Sequence, residues 1–352
     1  MKILVTGGAG FIGSSYVQQV LAEHPEDEVV TLDALTYAGS LTNLADLADH
    51  PRHRFVEGNI ADRELIEELV ANVDAAVNFA AETHVDRSLL SPQAFLDSNV
   101  QGVYVLLDAV RRHGRRLLHV STDEVYGDIP EGKFSTEQDH IAPRSPYSAA
   151  KAGGELFCRS FFVSYGTDVV ITRGCNTIGP RQYPEKLVPL FVTNALRDLP
   201  LPVYGDGRQV RDWLHSEDHA AGIDMALRKG QAGEIYNIGA GNERPNIDVV
   251  KGILAHLGKD DSLINYVPDR PGHDRRYALS WDKIRDDLGW EPERNFEQTL
   301  HDTIDWYINY PEWWTAIRDG SEDFQDYYET QYAWRLAQGT SAVTMEANHG
   351  AK

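Results

Sequence analysis

Two stretches of this 352-residue chain carry side chains that could move protons. Ser121-Thr122-Asp123-Glu124-Val125-Tyr126-Gly127 sets a hydroxyl beside two adjacent carboxylates, and Tyr147-Ser148-Ala149-Ala150-Lys151 follows. Tyr147 and Lys151 stand four apart, the spacing at which two side chains meet on one helix face. A nearby ammonium favours phenolate, so Lys151 is expected to lower the Tyr147 pKa from its ordinary value near ~10 and make it a general base. Neighbouring carboxylates push their pKa values apart by mutual repulsion, which suits one acid and one base. Successive residues of a strand point to opposite faces. The strand carrying Asp123 and Glu124 must therefore end or curl there if both are to reach one substrate.

A second motif gives these groups a partner. Thr6-Gly7-Gly8-Ala9-Gly10-Phe11-Ile12-Gly13 directly follows the apolar run Ile3-Leu4-Val5. Gly7, Gly10 and Gly13 suit a tight strand-to-helix turn that brings backbone close to a pyrophosphate, with the helix N-terminus supplying free N–H groups. Asp33 ends the next apolar run, Val29-Val30-Thr31-Leu32. A carboxylate there accepts hydrogen bonds from the adenosine ribose and repels a 2′-phosphate, which predicts NAD rather than NADP.

Apolar runs alternate with helical patterns around these motifs. Strands are predicted over 2–6, 28–32, 53–57, 74–79, 116–121 and 168–173, and helices near 11–23, 62–72, 93–113 and 146–165. That order reads as an α/β fold, a Rossmann-type doubly wound parallel sheet. Ligands bind beyond the carboxyl ends of such strands, where Asn78-Phe79-Ala80-Ala81-Glu82-Thr83 and the 121–124 motif fall. After Gly174 the prolines Pro180, Pro184, Pro189, Pro200 and Pro202 break the pattern. Later helices are expected near 246–257, 280–288 and 296–309. We read 1–175 as an NAD-binding domain and 176–315 as a smaller C-terminal substrate-binding lobe, with interleaved returns to the first domain. Residues 316–352 read as an acidic tail, with one helix between Arg318 and Leu336 and disorder after Gly339.

Composition narrows the partners. Acidic residues number 54 against 33 basic ones, a formal charge of −21 that repels nucleic acid and anionic membrane. An anionic substrate would need a local basic lining. No segment approaches the ~20 apolar residues of a membrane span, and the N-terminus enters a strand without a signal n-region. Cys158 and Cys175 make no disulfide framework and no zinc spacing, so no metal and a cytoplasmic setting are expected.

With these motifs in place, the chain over roughly residues 1–315 resembles the dTDP-glucose 4,6-dehydratases of the extended short-chain dehydrogenase/reductases. The likeness is carried by the Gly-rich start, Leu35-Thr36-Tyr37-Ala38-Gly39 and Ala80-Ala81-Glu82-Thr83-His84-Val85-Asp86-Arg87-Ser88. It continues through Ser121–Gly127, Pro184-Glu185-Lys186-Leu187, Val210-Arg211-Asp212-Trp213 and Arg270-Pro271-Gly272-His273-Asp274-Arg275-Arg276-Tyr277. Thr122-Asp123-Glu124 sets it apart from related epimerases and decarboxylases. The resemblance implies oxidation of a sugar at C4, loss of water across C5–C6 and return of the hydride at C6. Tyr147, assisted by Lys151, would then take the O4 proton, with Thr122 on the same oxygen. Glu124 would take the C5 proton, and Asp123 would protonate the leaving C6 hydroxyl.

The resemblance adds Phe11, Ile12, Leu35, Thr36, Asn59, Ile60, Phe79, Ala80, Ala81, Thr83 and Ser98 to the NAD site. It implies that Arg211 and Arg270 contact the substrate diphosphate, and that Thr83, Asn176, Glu185, Lys186, Leu187, Asn246 and His273 line the nucleotide-sugar site. Val203 and Tyr204 would pack on the base and ribose, while His84 and Asp86 are scaffold groups. A homodimer is implied through the long helices of the first domain. Asn59 stands where the family usually has Asp, and Asn176-Thr177-Ile178-Gly179-Pro180 replaces Asn-Asn-Tyr-Gly-Pro, which leaves the sugar and nucleotide open. The alternatives are a 4-epimerase or decarboxylase of the same fold, or a non-catalytic NAD-binding protein.

Overall fold

The computed structural model describes residues 1–341. In chain order the first strands are β1 (Lys2–Thr6), β2 (Glu28–Asp33), β3 (His53–Glu57), β4 (Ala75–Asn78), β5 (Arg116–Thr122) and β6 (Val169–Gly174). They continue as β7 (Asn176–Ile178), β8 (Leu201–Tyr204), β9 (Val210–His215), β10 (Ile235–Ile238), β11 (Glu243–Pro245), β12 (Ile264–Val267) and β13 (Thr340–Ser341). Seven of them form one parallel sheet in the order β10-β6-β5-β4-β1-β2-β3. The chain runs outward from β1 in one direction and from β4 in the other, so the switch point lies between these two strands. Ligand clefts open there, beyond the carboxyl ends.

The sheet is buried on both faces, as its near-continuous apolar runs require. Alternate residues serve opposite cores. Ile3, Val5, Val77 and Leu118 pack with Tyr16 and Val17 of the helix Phe11–Glu23 and with Ile223 of the helix Ser216–Lys229. Leu4, Ala76 and Leu117 pack with Ile66 of Arg63–Ala71, Leu106 of Val103–His113 and Phe161 of Pro146–Tyr165. Residues 216–238 thus rejoin the first sheet from beyond residue 175. The apolar stretch at 235–238 is short and set among loop signals, which hid the seventh strand from the sequence pattern.

The helix expected over 93–113 is present but not α-helical throughout. Pro92–Leu96 is followed by a π-helical segment, Asp97–Gly102, and then by Val103–His113. Such wide turns occur at functional sites. This one places Asn99 Oδ1 and Ser98 Oγ to accept the Glu82 N–H at 2.9 and 3.2 Å, fixing the loop that follows β4.

Two small sheets, β11-β9-β7 and β13-β12-β8, build the lobe around a second core containing Phe191, Ile253, Ile304 and Tyr307. The C-terminal segment belongs to that core. In place of one helix over 318–336 stand Pro311–Gly320 and a run in which the π-helical segment Glu329–Ala333 joins Glu322–Tyr328 to Trp334–Gln338; together they bury Trp314, Tyr327 and Tyr332 and leave most of the acidic side chains to water. Thr340–Ser341, expected to be disordered, pairs with β12. The rest of that stretch lies outside the described residues. Among the described residues no helix is long and apolar enough to cross a membrane, and no group of His, Cys, Asp and Glu is placed to hold a metal.

Candidate active site

The Gly-rich turn folds as a cradle with no room for side chains. Gly7 adopts φ +72°, and a Cβ there would lie 2.5 Å from the Ala80 nitrogen. A Cβ on Gly13 would run into the Gly7 carbonyl oxygen. The helix Phe11–Glu23 starts behind this turn with Gly10 at its cap and no side chain on its first N–H groups. Asp33 accepts the Ala9 N–H on Oδ2 and the Leu35 N–H on Oδ1, both at 2.9 Å. Burial raises its pKa, and those N–H groups pull it back. A carboxylate oxygen has a second lone pair, so both remain able to accept from a ribose diol.

A cavity of about 800 Å³ runs from this cradle across the strand ends. Its walls include Gly7, Gly10, Phe11, Ile12, Gly13, Asp33, Thr36, Asn59, Ile60, Phe79, Ala80, Ala81, Thr83 and Ser98. Thr122, Asp123, Glu124, Tyr147 and Lys151 close the far end. Bare backbone at one end, a diol acceptor beside it and proton-transfer groups at the other fit an extended dinucleotide. Leu35 is the exception among the expected residues. It does not line the cavity: at φ 48° it turns its side chain toward the core and steadies Asp33 through its N–H.

The carboxylate pair is presented by the curl that the chemistry required. β5 ends at Thr122, and a 3₁₀ turn, Asp123–Tyr126, begins at once, with Thr122 Oγ1 accepting the Glu124 N–H at 3.3 Å. Both carboxyl groups then face the cavity. Burial and the Glu124 charge push the Asp123 pKa well up; its Oδ1 accepts from Thr122 at 3.2 Å and its Oδ2 is buried without a partner. Burial raises Glu124 too, but Arg270, Arg211 and Lys186 oppose it. The two neighbours thus sit in different fields: the Glu124 charge adds to burial in raising Asp123, whereas Arg270, Arg211 and Lys186 offset the burial of Glu124.

Tyr147 and Lys151 share the helix Pro146–Tyr165, started by a Ser145/Ser148 capping box. The expected lowering of the phenol pKa by Lys151 is not what this protein alone displays. Burial and the Glu124 charge raise Tyr147, with a hydrogen bond to Thr122 pulling the other way. Lys151 donates to the Val120 carbonyl at 2.6 Å, and burial holds its own pKa down to about 8. Spacing reported the shared helix face but not how deeply both groups are buried.

A smaller cavity of about 160 Å³ opens from the same cleft. Thr83, Glu124, Asn176, Glu185 and Lys186 line both spaces, whereas Leu187, Val203, Tyr204, Arg211, Asn246, Arg270 and His273 line the smaller one. Thr122 faces only the larger. Arg270 donates to Asp86 Oδ1 at 3.1 Å and keeps a buried Nε without a partner. Arg211 donates to the Val210 and Asp274 carbonyls, and Lys186 to the Thr83 carbonyl at 2.8 Å. Within a chain of charge −21, these three cations supply the expected basic lining.

Two of the wall residues that escaped the sequence reading join the two cavities or come from the C-terminal segment. Gln182 faces both cavities, and Tyr332 reaches the smaller one from the C-terminal segment, stacked on Tyr204 with ring centroids 6.2 Å apart. Its aromatic run was visible, but nothing local says which wall it completes. At the altered loop, Thr177 Oγ1 meets His219 Nδ1 at 2.8 Å, and Ile178 is buried in the lobe core.

The family model for GDP-mannose 4,6 dehydratase matches residues 4–303. The chain belongs to this family. It is 53% identical over 309 residues to the low-salt glycan biosynthesis protein Agl12 of Haloferax volcanii, covering 88% of this chain and 99% of that one. A dTDP-glucose 4,6-dehydratase of an Actinoplanes species is 49% identical over 90% of this chain and all of its own (100%). Among solved structures, DesIV of Streptomyces venezuelae, a dTDP-glucose 4,6-dehydratase with NAD and TYD bound, superposes with a TM-score of 0.88 at 49% identity. That match covers 90% of this chain and 100% of DesIV.

Proposed function

We propose that this chain is an NAD-retaining dTDP-glucose 4,6-dehydratase, a hydro-lyase that yields dTDP-4-keto-6-deoxyglucose. The observation that carries the reading is the Asp123–Glu124 pair, two adjacent carboxyl groups on one cleft, Glu124 the one more strongly offset by cations. NAD bound along the larger cavity supplies the hydride acceptor at sugar C4 and the hydride returned at C6. Tyr147 takes the O4 proton while Thr122 hydrogen-bonds the same oxygen. Lys151, one turn along the helix, is the cation available to the phenolate. The 4-keto group acidifies C5–H, and Glu124 removes that proton. Asp123 then gives its own proton to the C6 hydroxyl, which leaves as water, and Glu124 returns its proton to C5 as the hydride is delivered at C6.

Arg211, Arg270 and Lys186 balance the diphosphate, with Asn176, Glu185, Leu187, Asn246 and His273 around it. Val203, Tyr204 and Tyr332 wall the base. An epimerase or decarboxylase has no step that uses an acid beside the C5 base, and a scaffold needs neither. The division at residues 175 and 315 is kept as a functional one, cofactor below and nucleotide sugar above. Two such chains form a homodimer through the helix Pro146–Tyr165, which leaves Leu156 57% and Val163 72% exposed on one stripe. The cytoplasm is the proposed compartment, consistent with two buried free cysteines. The deciding experiment incubates the purified protein with dTDP-glucose and other nucleotide-glucoses, without added cofactor. A product that absorbs in alkali and has lost the mass of one water is expected from dTDP-glucose first. A C4 epimer of unchanged mass, or no turnover, would sink the proposal.

A further inference from the structure

Arg87 joins three segments far apart in the chain. From the helix Val85–Leu90, its Nε donates to Glu185 Oε2 at 2.8 Å. Its Nη1 and Nη2 donate to the two oxygens of Asp323 at 3.1 and 2.6 Å, in the helix Glu322–Tyr328. The guanidinium lies 3.8 Å from the centre of the Tyr37 ring and 4.4 Å from that of Tyr327. A planar cation held between two rings and two carboxylates is a strong, directional joint. The proton-transfer chemistry uses none of these contacts.

Tyr37 is the informative partner. Its neighbours Thr36, Ala38 and Gly39 line the Asp33 end of the larger cavity, but Tyr37 itself does not. Its ring turns away from the cavity, under Arg87 and edge-on to Tyr183 at 5.4 Å, on the side of the Glu185 charge. The loop also contains Leu35 at φ 48°, a conformation costly for a leucine that persists only where surroundings impose it. The wall over the ribose is thus fastened from outside, through one side chain, to the substrate loop and the C-terminal segment.

We propose that Arg87 is a positioning residue that clamps the 34–40 loop over the adenosine half of NAD, with Asp323 completing the clamp, so that the cofactor stays bound between turnovers. The proposal rests on the NAD reading above. A cofactor that gives up and regains its hydride within one cycle need not exchange, so slow release costs the reaction nothing.

The test is exchange of bound NAD for isotopically labelled NAD, followed by mass spectrometry of nucleotide released on denaturation. Arg87→Met, Tyr37→Leu and Asp323→Asn are compared with the parent, with folding checked by circular dichroism. Loss of the cation or its ring should speed exchange on the order of tenfold, the effect of one charge-assisted or cation–π contact. Asp323→Asn, at a half-exposed site, should speed exchange less and leave turnover at saturating NAD and sugar unchanged. Parent-like exchange in folded Tyr37→Leu and Asp323→Asn overturns the clamp, whether or not Arg87→Met folds. A raised KM for the sugar with unchanged exchange assigns Arg87 to support of Glu185 and overturns it equally. A parent protein that releases no NAD of either kind on denaturation, before or after incubation with the labelled cofactor, refutes the cofactor reading instead.

Discussion

Asp123 and Glu124 differ less in sequence than in surroundings. Arg211 acts on both, but Arg270 and Lys186 oppose the burial of Glu124 alone, whereas the Glu124 charge adds to the burial of Asp123. Asp123→Asn and Glu124→Gln should each slow overall conversion ~10²–10⁴-fold, the usual contribution of one general acid or base. They part company in D₂O: Asp123→Asn keeps the C5 base and should exchange the C5 proton with solvent, whereas Glu124→Gln should not. Normal C5 exchange in Glu124→Gln would show that another group is the base. The pH profile follows from the same fields. A base works ionised, so kcat/KM should fall as pH drops through the raised Glu124 pKa, and Arg270→Gln should move that acid limb to higher pH. The pair itself was legible because the acids are adjacent and followed by Tyr147 and Lys151. The Tyr147 pKa was not, because burial is a tertiary property: helix spacing counts Lys151 as its neighbour but cannot count Glu124 or the lost solvent.

At the scale of elements, legibility tracked locality. The strand–turn–helix at residues 2–23 is specified by contiguous residues, and it stands where the glycine spacing put it. β10 and the C-terminal helices take their meaning from packing across the fold, so the sequence pattern left the first in a loop and cut the second short. The turn also makes the sharpest element-scale prediction. A methyl on Gly13 collides with the Gly7 carbonyl, which is backbone and cannot swing away. Gly13→Ala should therefore widen the cradle and empty it of nucleotide, read as lost NAD by mass spectrometry and a lower melting temperature. Full NAD occupancy in a folded Gly13→Ala protein would mean that the pyrophosphate lies elsewhere.

Two properties of the whole molecule pull against each other. Each chain carries −21, and like charges brought together at a dimer interface repel. Leu156 and Val163 stand seven residues apart on the helix Pro146–Tyr165, two turns along one stripe, with Phe157 40% exposed beside them. Apolar burial does not weaken with salt, whereas charge repulsion does: the screening length shrinks from about 30 Å at ~0.01 M to about 3 Å at ~1 M. Sedimentation velocity should therefore show the dimer tightening as salt rises. An interface held by ion pairs would do the reverse and loosen. Val163→Asp adds a charge at the most exposed position of the stripe and should give a folded monomer at every salt concentration. A Val163→Asp protein that still sediments as a dimer would place the contact on another face, and the helix Pro146–Tyr165 would then be left with only its role in holding Tyr147 and Lys151.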